Sequence, residues 1–147
     1  MADLDDVHRL GAAEHFLAVF TVSGRPGHVH ASVVNAGVIT DPIDWNPGVA
    51  AVVGGDSRKL ALLRQVGRAT VVFRSGWQWA SVAGPVRQIG PDDGVEFGLD
   101  VPETLRSVFR AAGGTHDDWD EFDRVMAAER RCAVFVEAEH ITSNAGS

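Results

Sequence analysis

Hydrophobic positions follow one another along the chain at spacings that predict short strands interrupted by a few helices. Residues 15–22 (HFLAVFTV) form a continuous apolar run rich in β-formers, which predicts a strand buried on both faces. Residues 23–27 carry the glycines and proline of a turn, and residues 28–34 then alternate polar with apolar side chains. The two segments therefore predict a hairpin whose second strand has one polar face.

Further strands are predicted beyond this hairpin. The strand-like segments are residues 49–53, 69–74, 77–89 and 131–141. The second and third of these flank a turn at Ser75-Gly76, and the third is interrupted by Gly84-Pro85, which suits a bulge or an edge position. Residues 35–48 carry several turn signals, so they are predicted to form an irregular loop.

Apolar residues at spacings of three and four predict helices. The helical segments are residues 3–13, 57–66, 102–112 and a segment that begins at Thr115. Asp56 or Ser57 is predicted to cap the second helix and Gly67 to end it, while Thr115 is predicted to cap the fourth. The fold class predicted is mainly β (α+β): one domain over residues 1–147, a barrel of about six antiparallel strands with peripheral helices.

Composition narrows the function classes. The chain is 45% hydrophobic and 22% charged, with a net charge of −7, which disfavours a nucleic-acid partner. Its acids cluster elsewhere, leaving residues 58–74 locally basic, which favours a small anionic ligand. The chain has one cysteine, Cys132, and an acidic N-terminus unlike a signal peptide, which predict a cytoplasmic protein. No apolar run reaches the 18 residues of a membrane span, so no membrane partner is expected.

The start of the second helix is the strongest binding candidate. Ser57, Arg58 and Lys59 bring a hydroxyl, two cations and free backbone N–H groups together, which suits a phosphate or phosphodiester. Lys59 is the only lysine in the chain. The alternative interpretation is an ordinary solvated helix start.

Aromatic and histidine pairs give weaker signals. Trp77 and Trp79 lie two residues apart on one face of a predicted strand, where they pack in a core or interface, or else stack on an aromatic ligand. His28 and His30 also share a face, but no third ligand follows at a metal-binding spacing. The sequence therefore predicts no metal site, and it predicts that His30 lines a polar groove beside Ser32.

Other motifs do not predict chemistry. The acidic run after Thr115 lacks the glycine and terminal glutamate of a calcium loop, and a capped helix start explains it. Cys132 lies in an apolar strand without an adjacent base, so a nucleophilic role is not expected. No catalytic acid, base or nucleophile is predicted.

The order and spacing of several short motifs give a resemblance that covers most of the chain. The motifs are Gly24-Arg25-Pro26, Ser57-Arg58-Lys59, the strand at residues 69–73 and Val82-x-Gly84. Together they resemble the pyridoxamine 5′-phosphate oxidase-like split β-barrel family of FMN-binding proteins. The strand at residues 76–79 and the helical segment at residues 113–126 are similar to its actinobacterial branch, which uses the deazaflavin coenzyme F-420.

The resemblance implies a cofactor site shared by two subunits of a homodimer. It implies that Ser57, Arg58 and Lys59 hold the cofactor phosphate. The residues that it places along the ring system are His30, Ala31, Ser32 and Trp79. Two departures from the oxidases of the family matter: Val29 stands where they have a phosphate-binding arginine, and their substrate-binding C-terminal extension has no counterpart here.

These departures argue against pyridoxamine phosphate oxidation. The expected function is a coenzyme F-420-dependent oxidoreductase that transfers a hydride to or from a small unsaturated or quinone-like molecule. The alternatives are an FMN-binding protein of the same family, a flavin- or haem-binding module without turnover, or a barrel that has lost its ligand.

Overall fold

A computed structural model describes residues 2–93 and 98–144 of the chain. The helices in this part of the chain are α1 (Leu4–Ala13), α2 (Arg58–Val66), α3 (Val101–Ala111) and α4 (Trp119–Ala128). The strands are β1 (Leu17–Ser23), β2 (Val29–Thr40), β3 (Pro47–Val53), β4 (Arg68–Ser75), β5 (Gln78–Ile89), β6 (Cys132–Glu137) and β7 (His140–Ser143). None of the described helices is long and apolar enough to cross a membrane.

Six of the strands close into a ring. Their order is β4-β1-β2-β3-β6-β5, and pairing between β4 and β5 completes the circle. Every pair is antiparallel, and β7 adds to the free edge of β5. The predicted antiparallel barrel with peripheral helices is confirmed.

Strand β2 belongs to both halves of the barrel, which corrects the prediction of an irregular loop after residue 34. Its first half pairs with β1, as in Leu17 with Asn35, and its second half pairs with β3 as far as Thr40. At Gly37 the end of α3 packs directly on the strand: a Cβ there would lie 2.0 Å from the carbonyl oxygen of Ala111. The turn signals apply only to the short connection between β2 and β3.

Strand β5 also changes partner along its length, from β7 to β6. It continues through Gly84-Pro85 without interruption, and Gly84 allows a close approach: a Cβ there would lie 2.0 Å from the carbonyl oxygen of Glu137. The prediction of a single closing strand over residues 131–141 is wrong, because β6 ends at Glu137 and the chain turns before it forms β7.

The turn between β4 and β5 is Gly76-Trp77 and not the predicted Ser75-Gly76. Ser75 pairs with Gln78, which leaves two residues in the turn, and Gly76 takes a φ of 60° that favours glycine. Trp77 is therefore a turn residue, 94% exposed.

Helix ends follow local capping chemistry. The Ser57 side-chain oxygen accepts a hydrogen bond from the Leu60 amide at 3.2 Å, and Gly67 ends α2 in the left-handed region. The predicted cap at Thr115 is wrong: Asp118 caps α4, because its carboxylate accepts from the amides of both Asp120 and Glu121.

Two hydrophobic cores lie on the two sides of the β3–β6 sheet. One fills the barrel interior, with side chains from α1 and α2, and the other lies between the outside of the sheet and helices α3 and α4. We call this outer surface of β3 and β6 the covered face; its buried side chains are Ala50, Ala133 and Phe135.

No described residue provides such a cover for the outer surface of β1 and the first half of β2, which we call the bare face. Its exposed apolar side chains are Leu17 (46% exposed), Val19 (39%), Val29 (68%) and Val33 (66%). The prediction that β1 is buried on both faces is therefore wrong. Only alternate residues of this apolar run, such as Phe20, point into the barrel.

Candidate functional site

A cavity of about 580 Å³ lies where β2, the end of β3 and the helices α2, α3 and α4 meet. We call it the Lys59 cavity. Ser57, Lys59 and Arg131 give it a polar, cationic side, and Phe109 and Met126 belong to its apolar wall. Among the described residues no carboxylate lines it, although the chain carries a net charge of −7. Its volume lies within the range of small-molecule sites.

The cationic side is built on the first turn of α2. Ser57 ends the extended backbone there and caps the helix, and the first-turn amides have no acceptor within the helix. Their positive dipole end adds to the charge of the adjacent lysine. A phosphate is a chemical match for this end of the cavity.

Lys59 is half-buried, and its ammonium lies 5.7 Å from the centre of the Phe20 ring. Burial lowers the pKa of Lys59, and the nearby positive charge of Arg131 lowers it further. An anion placed between these two cations would oppose this lowering of the pKa, because it favours the charged form of the lysine.

His15 and Asn35 line the cavity close to the bare face. His15 and Phe16 both have left-handed backbones, with φ of 57° and 59°, so the strand begins at Leu17 and not at the predicted residue 15. The Asn35 side-chain amide donates to the His15 carbonyl at 2.9 Å and holds this conformation. Strained backbone of this kind is concentrated at functional sites.

The apolar wall depends on aromatic packing between α3 and α4. The Phe109 ring lies 4.8 Å from that of Phe122 and 6.2 Å from that of Trp119. Gly114 allows this ring position, since a Cβ there would lie 2.5 Å from Phe109. The wall is therefore a packed surface against which a flat apolar ligand can lie.

The predicted pair of Arg58 and Lys59 is divided by the structure. Successive helix residues point about 100° apart, and only Lys59 reaches the Lys59 cavity. Arg58 is exposed and lines a second cavity of about 410 Å³ with Arg25, His28 and His30.

His30 and Ser32 lie on the inner side of β2, opposite Val22 and Phe20. The His30 Nδ1 and Ser32 Oγ atoms are buried, and neither has a hydrogen-bond partner among the described residues. Unpaired buried polar atoms cost free energy, so both atoms are open to a water or a ligand.

Ala31 and Trp79 point the other way, to the outside of the barrel. Ala31 is exposed on the bare face, and Trp79 alternates with the buried Ala80. The backbone amide of Trp79 donates to the Asn144 side chain at 2.9 Å. Neither residue lines the Lys59 cavity.

The cavity opens at the edge of the bare face. Val33 and Asn35 line the cavity, and both belong to the outward-pointing set of β2, which includes the exposed Ala31. A molecule that covers the bare face would therefore border the cavity mouth.

The thiol of Cys132, the single cysteine of the chain, is not a nucleophile at neutral pH. Burial raises the pKa of the Cys132 thiol to about 12, so it stays protonated at neutral pH. Among the described residues no group of three histidine, cysteine or acidic side chains is arranged to hold a metal ion.

Sequence reasoning singled out Ser57 and Lys59 but did not identify His15, Asn35 or Arg131 as cavity residues. The two glycines before Ser57 were a usable signal, because a small-residue turn allows another segment to pack against a helix start. Nothing in the sequence indicated which segment that is.

No protein-family model matches the chain. Three solved structures are similar to it over almost its whole length. The similarities to the Mycobacterium and Nostoc proteins named next cover 97% of this chain and 84% of the other. The similarity to the Clostridium protein covers 95% of this chain and 86% of the other. The three structures are a conserved hypothetical protein from Mycobacterium tuberculosis (TM-score 0.64, 17% identity), a pyridoxinephosphate oxidase-family protein related to general stress protein 26 from Clostridium acetobutylicum (0.61, 11%), and a pyridoxamine 5′-phosphate oxidase-related, FMN-binding protein from Nostoc punctiforme (0.59, 11%). The predicted split β-barrel fold is confirmed by these similarities.

Proposed function

We propose that this protein is an oxidoreductase that uses the deazaflavin coenzyme F-420 to transfer a hydride to or from a small unsaturated or quinone-like molecule. The observation that carries the proposal is the Lys59 cavity, which is cationic on one side and apolar on another and has no carboxylate among its described lining residues. This distribution suits a ligand with a phosphate at one end and a flat ring system at the other.

The residues present fit such a cofactor. Ser57 and Lys59 supply a hydroxyl and a cation at a helix start, which hold phosphate oxygens. Phe109 and Met126 offer an apolar wall for the ring system. His30 and Ser32 do not line this cavity, so their buried polar atoms, which have no partner among the described residues, are not part of this fit.

When bound, the deazaflavin supplies the hydride chemistry. The residues of this chain bind the phosphate, orient the ring against the apolar wall and exclude water from it. No side chain is assigned as a catalytic acid or base, and the protonated Cys132 thiol has no part.

We also propose that the protein acts as a homodimer whose second copy covers the bare face. Leu17, Val19, Val29 and Val33 form an apolar surface without a cover among the described residues, which is typical of an interface. Because the cavity opens at the edge of this face, the second copy would complete the site. The outward-facing Ala31 and Trp79 become candidates to contact the cofactor from the partner side.

FMN is the second candidate cofactor, because the similar protein from Nostoc punctiforme is FMN-binding. FMN has the same two features, a phosphate and a flat ring system, so it requires the same residues of the cavity. The two cofactors are distinguished by binding and not by the geometry of the cavity.

Titration of the purified protein with coenzyme F-420 and with FMN, followed by quenching of cofactor fluorescence, tests the proposal. We expect saturable binding of F-420 at tens of micromolar or tighter, and Lys59→Ala to weaken it about tenfold or more, since a charge-assisted hydrogen bond contributes roughly 1.5–3 kcal/mol. Tighter binding of FMN would favour the second candidate. Absence of binding by both cofactors would show that the proposed function is wrong.

A further inference from the structure

The connection between α4 and β6 brings a second cation to the Lys59 cavity. Arg131 precedes β6 and lines the cavity together with Ser57 and Lys59. It lies close enough to Lys59 for repulsion between the two charges to contribute to the lowered pKa of the lysine. Two like charges beside a cavity that no described carboxylate lines form an arrangement that a bound anion stabilises.

Direct backbone packing holds the two cations in place. The Gly55 amide, in the turn before α2, donates to the Glu129 carbonyl at 3.3 Å. A Cβ at Gly55 would lie 2.2 Å from the Arg130 carbonyl oxygen, so only glycine allows the two connections to come this close. The chain therefore joins segments that are distant in sequence at the point where Lys59 and Arg131 meet the cavity.

The side chain of Arg131 is oriented and retains free donors. Its Nε donates to Glu129 Oε1 at 2.8 Å, and its two terminal nitrogens make no hydrogen bond with any described residue. An exposed ion pair of this kind contributes little to stability. Its effect here is to fix one side of the guanidinium group, while the remaining N–H groups can form the fork that binds phosphate oxygens.

We propose that Arg131 is the second phosphate-binding cation of the Lys59 cavity. The inference rests on the proposed function, because it requires that a phosphorylated cofactor occupies the cavity.

The test compares ligands with and without the phosphate. FMN and riboflavin share one ring system, as do coenzyme F-420 and its phosphate-free deazaflavin chromophore, and each is titrated by fluorescence. We expect Arg131→Gln to weaken binding of the phosphorylated ligand about tenfold or more and to leave the phosphate-free ligand within about twofold. Arg131→Lys, which keeps a cation, should restore part of the loss.

Arg130→Gln is the matched control. Arg130 is the preceding residue, its side chain is 59% exposed and paired with Asp92, and it does not line the Lys59 cavity. We expect it to bind every ligand as the wild type does, and the thermal unfolding midpoint of each variant verifies that it is folded.

The possible results separate the two proposals. Wild-type binding with no change in Arg131→Gln, or with an equal loss for ligands with and without phosphate, overturns the role of Arg131 alone. A wild-type protein that binds none of the four ligands overturns the proposed function and the role of Arg131 with it.

Discussion

The covered face and the bare face of the barrel are both built from apolar strands, but helices pack over one and no described residue packs over the other. On the covered face, β6 is buried on both sides, because α3 and α4 pack over Ala133 and Phe135. On the bare face, β1 has an apolar run of similar character, yet Leu17 and Val19 remain 46% and 39% exposed. The comparison shows that an apolar strand indicates that a cover is needed, without saying whether this chain or another molecule supplies it.

The Lys59 cavity lies at the seam between these two surfaces. Val108 and Phe109 reach it from the helices of the covered face, and Val33 reaches it from the bare face. The cover that the chain provides forms one wall, and we expect a second copy to form another. Variants that alter one face at a time can therefore distinguish structural roles from binding roles.

The largest expected effect is on the covered face. Phe122 is 4% exposed between α3, α4 and the sheet, so Phe122→Ala should lower the free energy of unfolding by about 3–5 kcal/mol. Urea unfolding measures this loss. The same measurement on Val33→Ala, at a position 66% exposed, should show a change within about 0.5 kcal/mol in the monomer. Equal losses at both sites would contradict the distinction between the faces.

The next effect concerns the bare face. Val33→Asp places a charge within the proposed interface in both copies, and we expect it to weaken association by about 2–4 kcal/mol. Sedimentation equilibrium measures the change. Val125→Asp is the control, because Val125 is also exposed (41%) but lies on α4. A wild-type protein that sediments as a monomer at micromolar concentration would disprove the proposed dimer.

A smaller effect is expected from pH at the seam. Lys59 binds an anion only while it is protonated, and burial and Arg131 lower its pKa below the ordinary lysine value. Affinity for FMN should therefore fall about tenfold, or ~1.4 kcal/mol, as pH rises through this lowered pKa. The Lys59→Arg variant keeps its positive charge over the same pH range, so its affinity for FMN should not change with pH. If the affinity of the wild-type protein for FMN is as independent of pH as that of the variant, Lys59 does not bind the phosphate.

The smallest effect separates helix capping from ligand binding at Ser57. Ser57→Ala removes the acceptor for the Leu60 amide and should cost about 1 kcal/mol of stability. Ser57→Asp keeps a good cap but adds a negative charge to the cavity, so stability should be retained while affinity for FMN falls. Thermal unfolding and fluorescence titration measure the two quantities, and unchanged affinity in Ser57→Asp would show that the phosphate lies elsewhere.

Local patterns predicted most of the elements because each pattern is caused by neighbours in sequence. Ser57 and Gly67 mark the ends of α2 by capping chemistry that needs no tertiary contact. The second half of β2 was missed for the opposite reason, since its regularity depends on pairing with β3. The predicted cap at Thr115 was wrong for a local reason, since α4 begins at Trp119 and the preceding Asp118 carboxylate accepts from its first amides.

The candidate site was predicted only in part. Ser57 and Lys59 are close in sequence and share the cavity, whereas Arg58 points to a different one because of the helical rotation between adjacent residues. Arg131 reaches the same cavity from a distant part of the chain. That approach depends on the contact between Gly55 and the turn at Arg130, which no local pattern reveals.

The sequence by itself determined the antiparallel barrel with peripheral helices, the capped start of α2 and the acidic charge against which one lysine stands out. Alternation, helical spacing and capping residues carry this information because they act over a few residues. Only the tertiary structure decided which face of the barrel the described residues leave bare and which cations meet in one cavity. It also decided that the buried His30 Nδ1 and Ser32 Oγ atoms have no hydrogen-bond partner among the described residues. Those outcomes depend on strand register and helix packing between distant segments, and these are set by the whole chain at once.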